Sequence, residues 1–366
     1  MRLVDCARGR DNNFNLIRII AAYAVLVSHS FPLARGSSAV EPFAQMLGMS
    51  LGTIAVDVFF FTSGFLVTAS LINRQNVKQF IRARILRIYP ALIVVVLLSV
   101  FCVGLYFTTQ PAVLYLSDAK IYKYILKCST LVTGVNQHLP GVFEHNPFER
   151  TVNGSLWTLP YELKMYIILT CVWLLVRFVP ADRSKVFKVV IVLSAVIAGV
   201  LLLIVHFRMV NTGGKSLRLF YMFFTGASFY LLREKVILSR RVFLLLLLLL
   251  IGSSLHKEIF YVSYVLAIGY SILFCAYVPS GMIRNYNRLG DYSYGTYVYA
   301  FPVQQSIAAL MPGISPQGML LLSSGITLIF AVLSWSIVEK HALSLKEFRL
   351  DALHFPVLQF SSRGKS

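Results

Sequence analysis

Apolar runs of about twenty residues, separated by short polar breaks, recur almost from end to end of this chain. A bilayer core is roughly 30 Å thick and a helix rises about 1.5 Å per residue, so each run is long enough to cross it. In hydrocarbon every backbone N–H and C=O must be paired internally, which for such runs means helices. The expected spans are about 14–33, 52–72, 88–109, 155–177, 187–207, 216–232, 242–256, 258–278, 293–311 and 316–338. Only 13% of the residues are charged, against roughly a quarter in soluble domains. The fold class expected is therefore an all-α polytopic membrane protein, a single bundle of about ten transmembrane helices.

The polar breaks set the topology. Most of the 34 Lys and Arg fall on the side that holds both termini, so both termini are expected in the cytoplasm. This bias accounts for most of the +19 net charge. No segment is large enough to form a soluble basic face for nucleic acid. One long connection, the loop 110–153, is expected on the outer side. Residues 1–340 read as one membrane domain and 341–366 as a cytoplasmic tail. The first span is too long for a leader and has no small-residue cleavage site. Five scattered cysteines give neither a disulfide framework nor a zinc site, and no metal is expected.

Against this apolar background a few residues stand out. In "NLIRIIAAYAVLVSHS", Arg18 and His29 are eleven residues apart, close to three helical turns, and so share one face about 16 Å apart. Either Arg18 snorkels to headgroups and His29 marks the far interface, or both face a wet interior. "GTIAVDVFFFTSGFLVTAS" places Asp57 inside the second span, with Thr62, Ser63 and Gly64 following. A carboxylate there needs a partner, for which Arg18 and His29 are the candidates, and Gly64 permits close helix approach. The stretch "NRQNVKQFIRARILRIYPAL" carries Arg82, Arg84 and Arg87 ahead of Tyr89–Pro90. It reads either as positive-inside anchoring or as a phosphate clamp, since Arg84 and Arg87 share a helix face. Glu162 follows Trp157, Pro160 and Tyr161 at the start of the fourth span.

Taken in order, Arg18-x10-His29, "VDVFFFTSGFL", Arg84-x-x-Arg87 running into "RIYPAL", "NGSLWTLPYELKMY" and "GDYSYGTYVYAFPVQQ" carry a resemblance. The chain resembles the acyltransferase 3 family of integral-membrane O-acyltransferases, from about Asn12 to Glu339. That family includes O-antigen, exopolysaccharide and nodulation-factor acetylases. The resemblance implies acyl transfer from cytosolic acetyl-CoA, a donor substrate rather than a bound cofactor, to a saccharide hydroxyl at a bacterial inner membrane. It makes His29 the catalytic residue, with Arg18 and Glu162 beside it, and assigns the donor to the arginine segment (Arg82, Arg84, Arg87). Asp57, Ser63, Trp157 and Tyr161 are expected to support or bind substrate. Two positions depart from the family's pattern: Ala300 stands where many members have histidine, and the last span closes as Glu339-Lys340-His341.

The chemistry follows from the residue types. A saccharide hydroxyl attacks a thioester poorly until a base takes its proton, and neutral imidazole suits neutral pH. Glu162 could hold the imidazole tautomer, grip sugar hydroxyls with Trp157 stacking on the ring, or cap its helix. Ser28, Ser30, Tyr161 and Asn153 are the expected oxyanion donors. The competing class is a transporter or flippase of a saccharide or lipid-linked intermediate, since intramembrane charges also mark transport paths. The paired interrupted helices common in transporters are not evident.

Overall fold

Every expected span is occupied by a long helix in the computed structural model, which describes residues 1–7, 9, 11–37, 41–74, 76–208 and 214–345. The ten are α1 (Phe14–Arg35), α2 (Leu51–Arg74), α3 (Val77–Phe107), α4 (Gly154–Phe178), α5 (Arg183–Phe207), α6 (Gly214–Leu231), α7 (Arg240–Ser253), α8 (Lys257–Tyr277), α9 (Ser293–Leu310) and α10 (Pro316–Ser344). No strand occurs among the described residues, where isolated bridges alone tie loops together.

Seven of the ten (α1–α5, α8 and α10) are long and apolar enough to cross a membrane on their own. The other three have physical reasons to fall short. Helix α7 has 14 residues, about 21 Å. Helices α6 and α9 carry polar side chains that the bundle buries, including Arg218 on α6 and Gln304 and Gln305 on α9. Lipid-facing apolar surface lies at the periphery: α7 exposes Leu244, Leu245 and Leu248, and α5 exposes Leu193, Val196 and Val200. Polar groups lie inside, with Ser28, Ser30, Asp57, Asn153 and Gln304 all fully buried. Apolar outside and hydrogen-bonded polar inside is the arrangement a bilayer demands.

Local sequence explains several boundaries. Asn76 caps α3 by accepting the Gln79 N–H, so the helix starts at Val77 rather than near residue 88, where the third span was expected. Pro90 therefore sits inside α3 instead of opening it, and the basic stretch is helical. The turn Ser99–Gly104 of α3 widens to a π-helix where the Tyr115 hydroxyl donates to the Val100 carbonyl. Ser315 caps α10 ahead of Pro316. That helix runs to Ser344, past the expected start of the tail, and residues 346–366 lie outside the described residues.

Helices α2 and α6 cross where Gly64 meets the Phe223 carbonyl and Gly226 meets the Phe61 carbonyl. A Cβ at either position would collide with backbone, so the contact depends on both glycines. Gly64→Leu is expected to cost at least the roughly 1–3 kcal/mol of ordinary overpacking, read as a lower melting temperature of the detergent-solubilised protein. The long loop is not open chain. It holds helices Ala112–Ser117 and Ala119–Thr130, and buried Gln305 pins it to α9 by donating to the Phe148 and Thr151 carbonyls and accepting from Asn146.

Candidate active site

Two cavities inside the bundle collect most of the singled-out residues, and they share two wall residues, Val56 and Tyr297. The first lies toward the end where α1 and α3 begin. Its polar lining includes Arg18, Ser63, Arg84, Arg87, Glu162 and Tyr166. The second lies toward the long-loop end and is lined by His29, Glu41, Ser50, Trp157 and Arg218, among others. Helix α1 runs unbroken past both, which explains how Arg18 and His29 on one face serve different cavities.

The first cavity is organised by carboxylates. Asp291, in the turn before α9, receives Arg18 at 2.7 Å and Arg87 at 2.5 Å, while Ser293 donates to its other oxygen. Glu339 stands 3.4 Å from Arg87 and accepts from Ser334, held by the π-helical turn Ser334–Glu339 of α10. Arg84 is different. Its Nε is buried with no hydrogen-bond partner, and its guanidinium lies over the rings of Phe80 and Tyr166. Ser63 and Tyr166 both donate to Glu162. Thus Arg18 and Arg87 are neutralised, and Arg84 keeps a donor unused.

In the second cavity His29 Nδ1 is buried without a partner, and its ring meets Phe301 edge-on at 5.2 Å. Ser28, its neighbour, donates to Glu41. Tyr297 donates to the Ser155 carbonyl at 2.8 Å and shares a 2.6 Å hydrogen bond with Thr158, which fixes the wall between the cavities. Trp157 faces both this cavity and an outer groove lined by Asn136, Gln137, His138, Tyr161 and Lys164.

Several expectations need correction. Asp57 does not pair with Arg18 or His29. Its Oδ1 lies 3.0 Å from Arg218 Nε, and Tyr264 donates to its other oxygen. Arg18 instead meets Asp291, because Asp57 is turned toward α6 and α8 while Arg18 reaches α2 at Phe59. Glu162 lines the arginine cavity rather than the His29 cavity, so it is not placed to orient the imidazole; the carboxylate on the His29 side is Glu41. Arg82 does not line the cavity with Arg84 and Arg87; it donates to the Leu345 carbonyl. A spacing of two residues turns it to another side of α3. Asp291, Glu41, Arg218, Tyr166 and Tyr297 were missed as site residues. Asp291 and Arg218 carried a readable signal, a charge at or inside an apolar span.

A family profile described as an acyltransferase domain matches residues 11–339. The chain belongs to the acyltransferase 3 family. Among its relatives, an O-acetyl transferase of Shigella phage Sf6 is 30% identical over 92% of this chain and 97% of its own length. Nodulation protein 10 of Rhizobium leguminosarum bv. viciae is 29% identical over 44% of each chain. No solved structure matches. This multi-pass membrane acyltransferase holds the two adjoining cavities inside its bundle.

Proposed function

We propose that this acyltransferase moves an acetyl group from cytosolic acetyl-CoA to a hydroxyl of a surface or secreted saccharide. The observation that carries the reading is that the arginine cavity and the His29 cavity adjoin, with Val56 and Tyr297 as shared wall residues. Coenzyme A would enter from the basic end, with a phosphate on the unused donor of Arg84 and the acyl arm directed toward Tyr297. Arg18 and Arg87, tied to Asp291, keep that entrance positive and fixed. The saccharide would arrive past Trp157, whose indole and the neighbouring Tyr161 offer stacking faces. Neutral His29 then takes the hydroxyl proton as oxygen attacks the thioester carbon, and returns it to the departing thiolate. Direct transfer is the first choice, and an acetyl-imidazole on His29 the second. The O-acetyl transferase of phage Sf6, similar over nearly its full length, supports oxygen as the acceptor atom.

The test uses purified protein in nanodiscs with radiolabelled acetyl-CoA and deacetylated O-antigen or exopolysaccharide oligosaccharides. Alkali-labile label on a saccharide is expected, and its absence across these acceptors would defeat the reading. Rapid quenching separates the two routes: acid-labile label on the protein that requires His29 would exclude direct transfer. Arg84→Ala is expected to raise the KM for acetyl-CoA roughly 10- to 100-fold, the value of about 1.5–3 kcal/mol for a charged hydrogen bond. An unchanged KM would remove Arg84 from the donor site.

A further inference from the structure

An alcohol adding to a thioester drives negative charge onto the carbonyl oxygen, and that oxygen needs hydrogen-bond donors already in place. The donors expected from the sequence are engaged elsewhere or absent from the cavity. Ser28 donates to Glu41, Ser30 to the Leu26 carbonyl and Asn153 to the Val298 carbonyl. Tyr161 does not line the His29 cavity.

Arg218 does line it. Its Nε faces Asp57 Oδ1 at 3.0 Å, and Tyr264 holds the other Asp57 oxygen from the opposite side at 3.0 Å. Asp57 is fully buried, whereas the Arg218 side chain keeps 16% of its surface. Its two terminal nitrogens meet no protein acceptor among the described residues. A purely structural ion pair in a membrane interior would present the guanidinium fork to the carboxylate and leave no donors over. Here the Nε side is held by the ion pair with Asp57, without hydrogen-bond geometry, and the terminal nitrogens are left for a ligand, in the same cavity as the imidazole.

We propose that Arg218 is the oxyanion donor of the acetyl transfer, with Asp57 and Tyr264 as the residues that position it. The inference rests on the acetyl-transfer reading above. As the saccharide oxygen bonds to the carbonyl carbon, its proton passes to His29 and the C=O π pair moves onto oxygen against Arg218. Collapse re-forms the C=O bond and breaks the C–S bond, and the thiolate leaves with the proton from His29. Arg218 keeps its own proton throughout.

The experiment compares wild type, Asp57→Asn and the pair Asp57→Asn/Arg218→Gln in nanodiscs, with radiolabelled acetyl-CoA and deacetylated oligosaccharide. The pair leaves no unpaired buried carboxylate, so its fold is spared. It is expected to lose about 10²–10³ in kcat with the KM of neither substrate moving. Asp57→Asn, which keeps the guanidinium, is expected to lose far less. Should the pair melt below wild type, Arg218→Lys gives the same reading, because it keeps a cation for Asp57 but removes the fork. A wild-type kcat in the pair or in Arg218→Lys overturns the proposal, as does a raised acceptor KM with kcat intact, which would make Arg218 a saccharide-binding group. A wild type that moves no acetyl while all variants fold would overturn the parent reading along with it.

Discussion

Replacing His29 with alanine is expected to lower kcat for acetyl transfer by about 10²–10⁴, the usual contribution of a positioned general base, while the KM for acetyl-CoA stays near wild type. The split follows from the geometry. His29 belongs to the cavity at the long-loop end, and the arginines belong to the other. Removing the imidazole leaves the donor site untouched, so binding and chemistry separate. Steady-state kinetics on the purified variant check this, with a melting curve to confirm the fold. A kcat within tenfold of wild type would remove His29 as the base. A matching loss of donor affinity would contradict the two-cavity arrangement.

Asp291→Ala is expected to give the largest loss of stability. One carboxylate neutralises both Arg18 and Arg87, so its removal leaves two cations inside the bundle with Glu339 alone, 3.4 Å from Arg87. Breaking a buried pair from one side costs about 3–5 kcal/mol, which should show as a large fall in the melting temperature of the solubilised protein. Melting unchanged within a degree or two would mean that water already screens the cluster. The pH dependence has a definite sign. Burial alone would raise the Asp291 carboxyl, but Arg18 and Arg87 more than reverse this and hold it at about 2. Its contribution is therefore complete above the ordinary carboxylate pKa of about 3.9 and is lost as pH falls through about 2. Between pH 5 and 8 the Asp291 carboxyl should therefore add no slope to the stability curve.

The helices are legible because a bilayer leaves a chain few options: run length and apolarity locate all ten, seven of them long and apolar enough to cross a membrane. Boundaries were read less well where polar residues continue a helix. The basic run before Pro90 lies outside the expected span 88–109, yet Asn76 starts α3 eleven residues earlier, at Val77. In the site, spacing within one helix put Arg18 and His29 on a common face. What spacing cannot supply is which helix stands opposite. Asp57 was matched with charges on the adjacent helix in sequence, whereas its partners come from α6 and α8. Glu162, expected beside His29 on the resemblance, is held in the arginine cavity by Ser63 and Tyr166. Glu41, in a loop between spans, gave no signal at all. Its place in the His29 cavity exists only once the loop between α1 and α2 has folded against Ser28.

Sealed proteoliposomes test directly whether a donor and an acceptor meet from opposite ends of one path. With radiolabelled acetyl-CoA on the face that carries Arg84 and deacetylated oligosaccharide on the face that carries the long loop, label should pass to the saccharide in a His29-dependent manner. Labelling only when both substrates share one face would contradict transfer through the contact at Val56 and Tyr297.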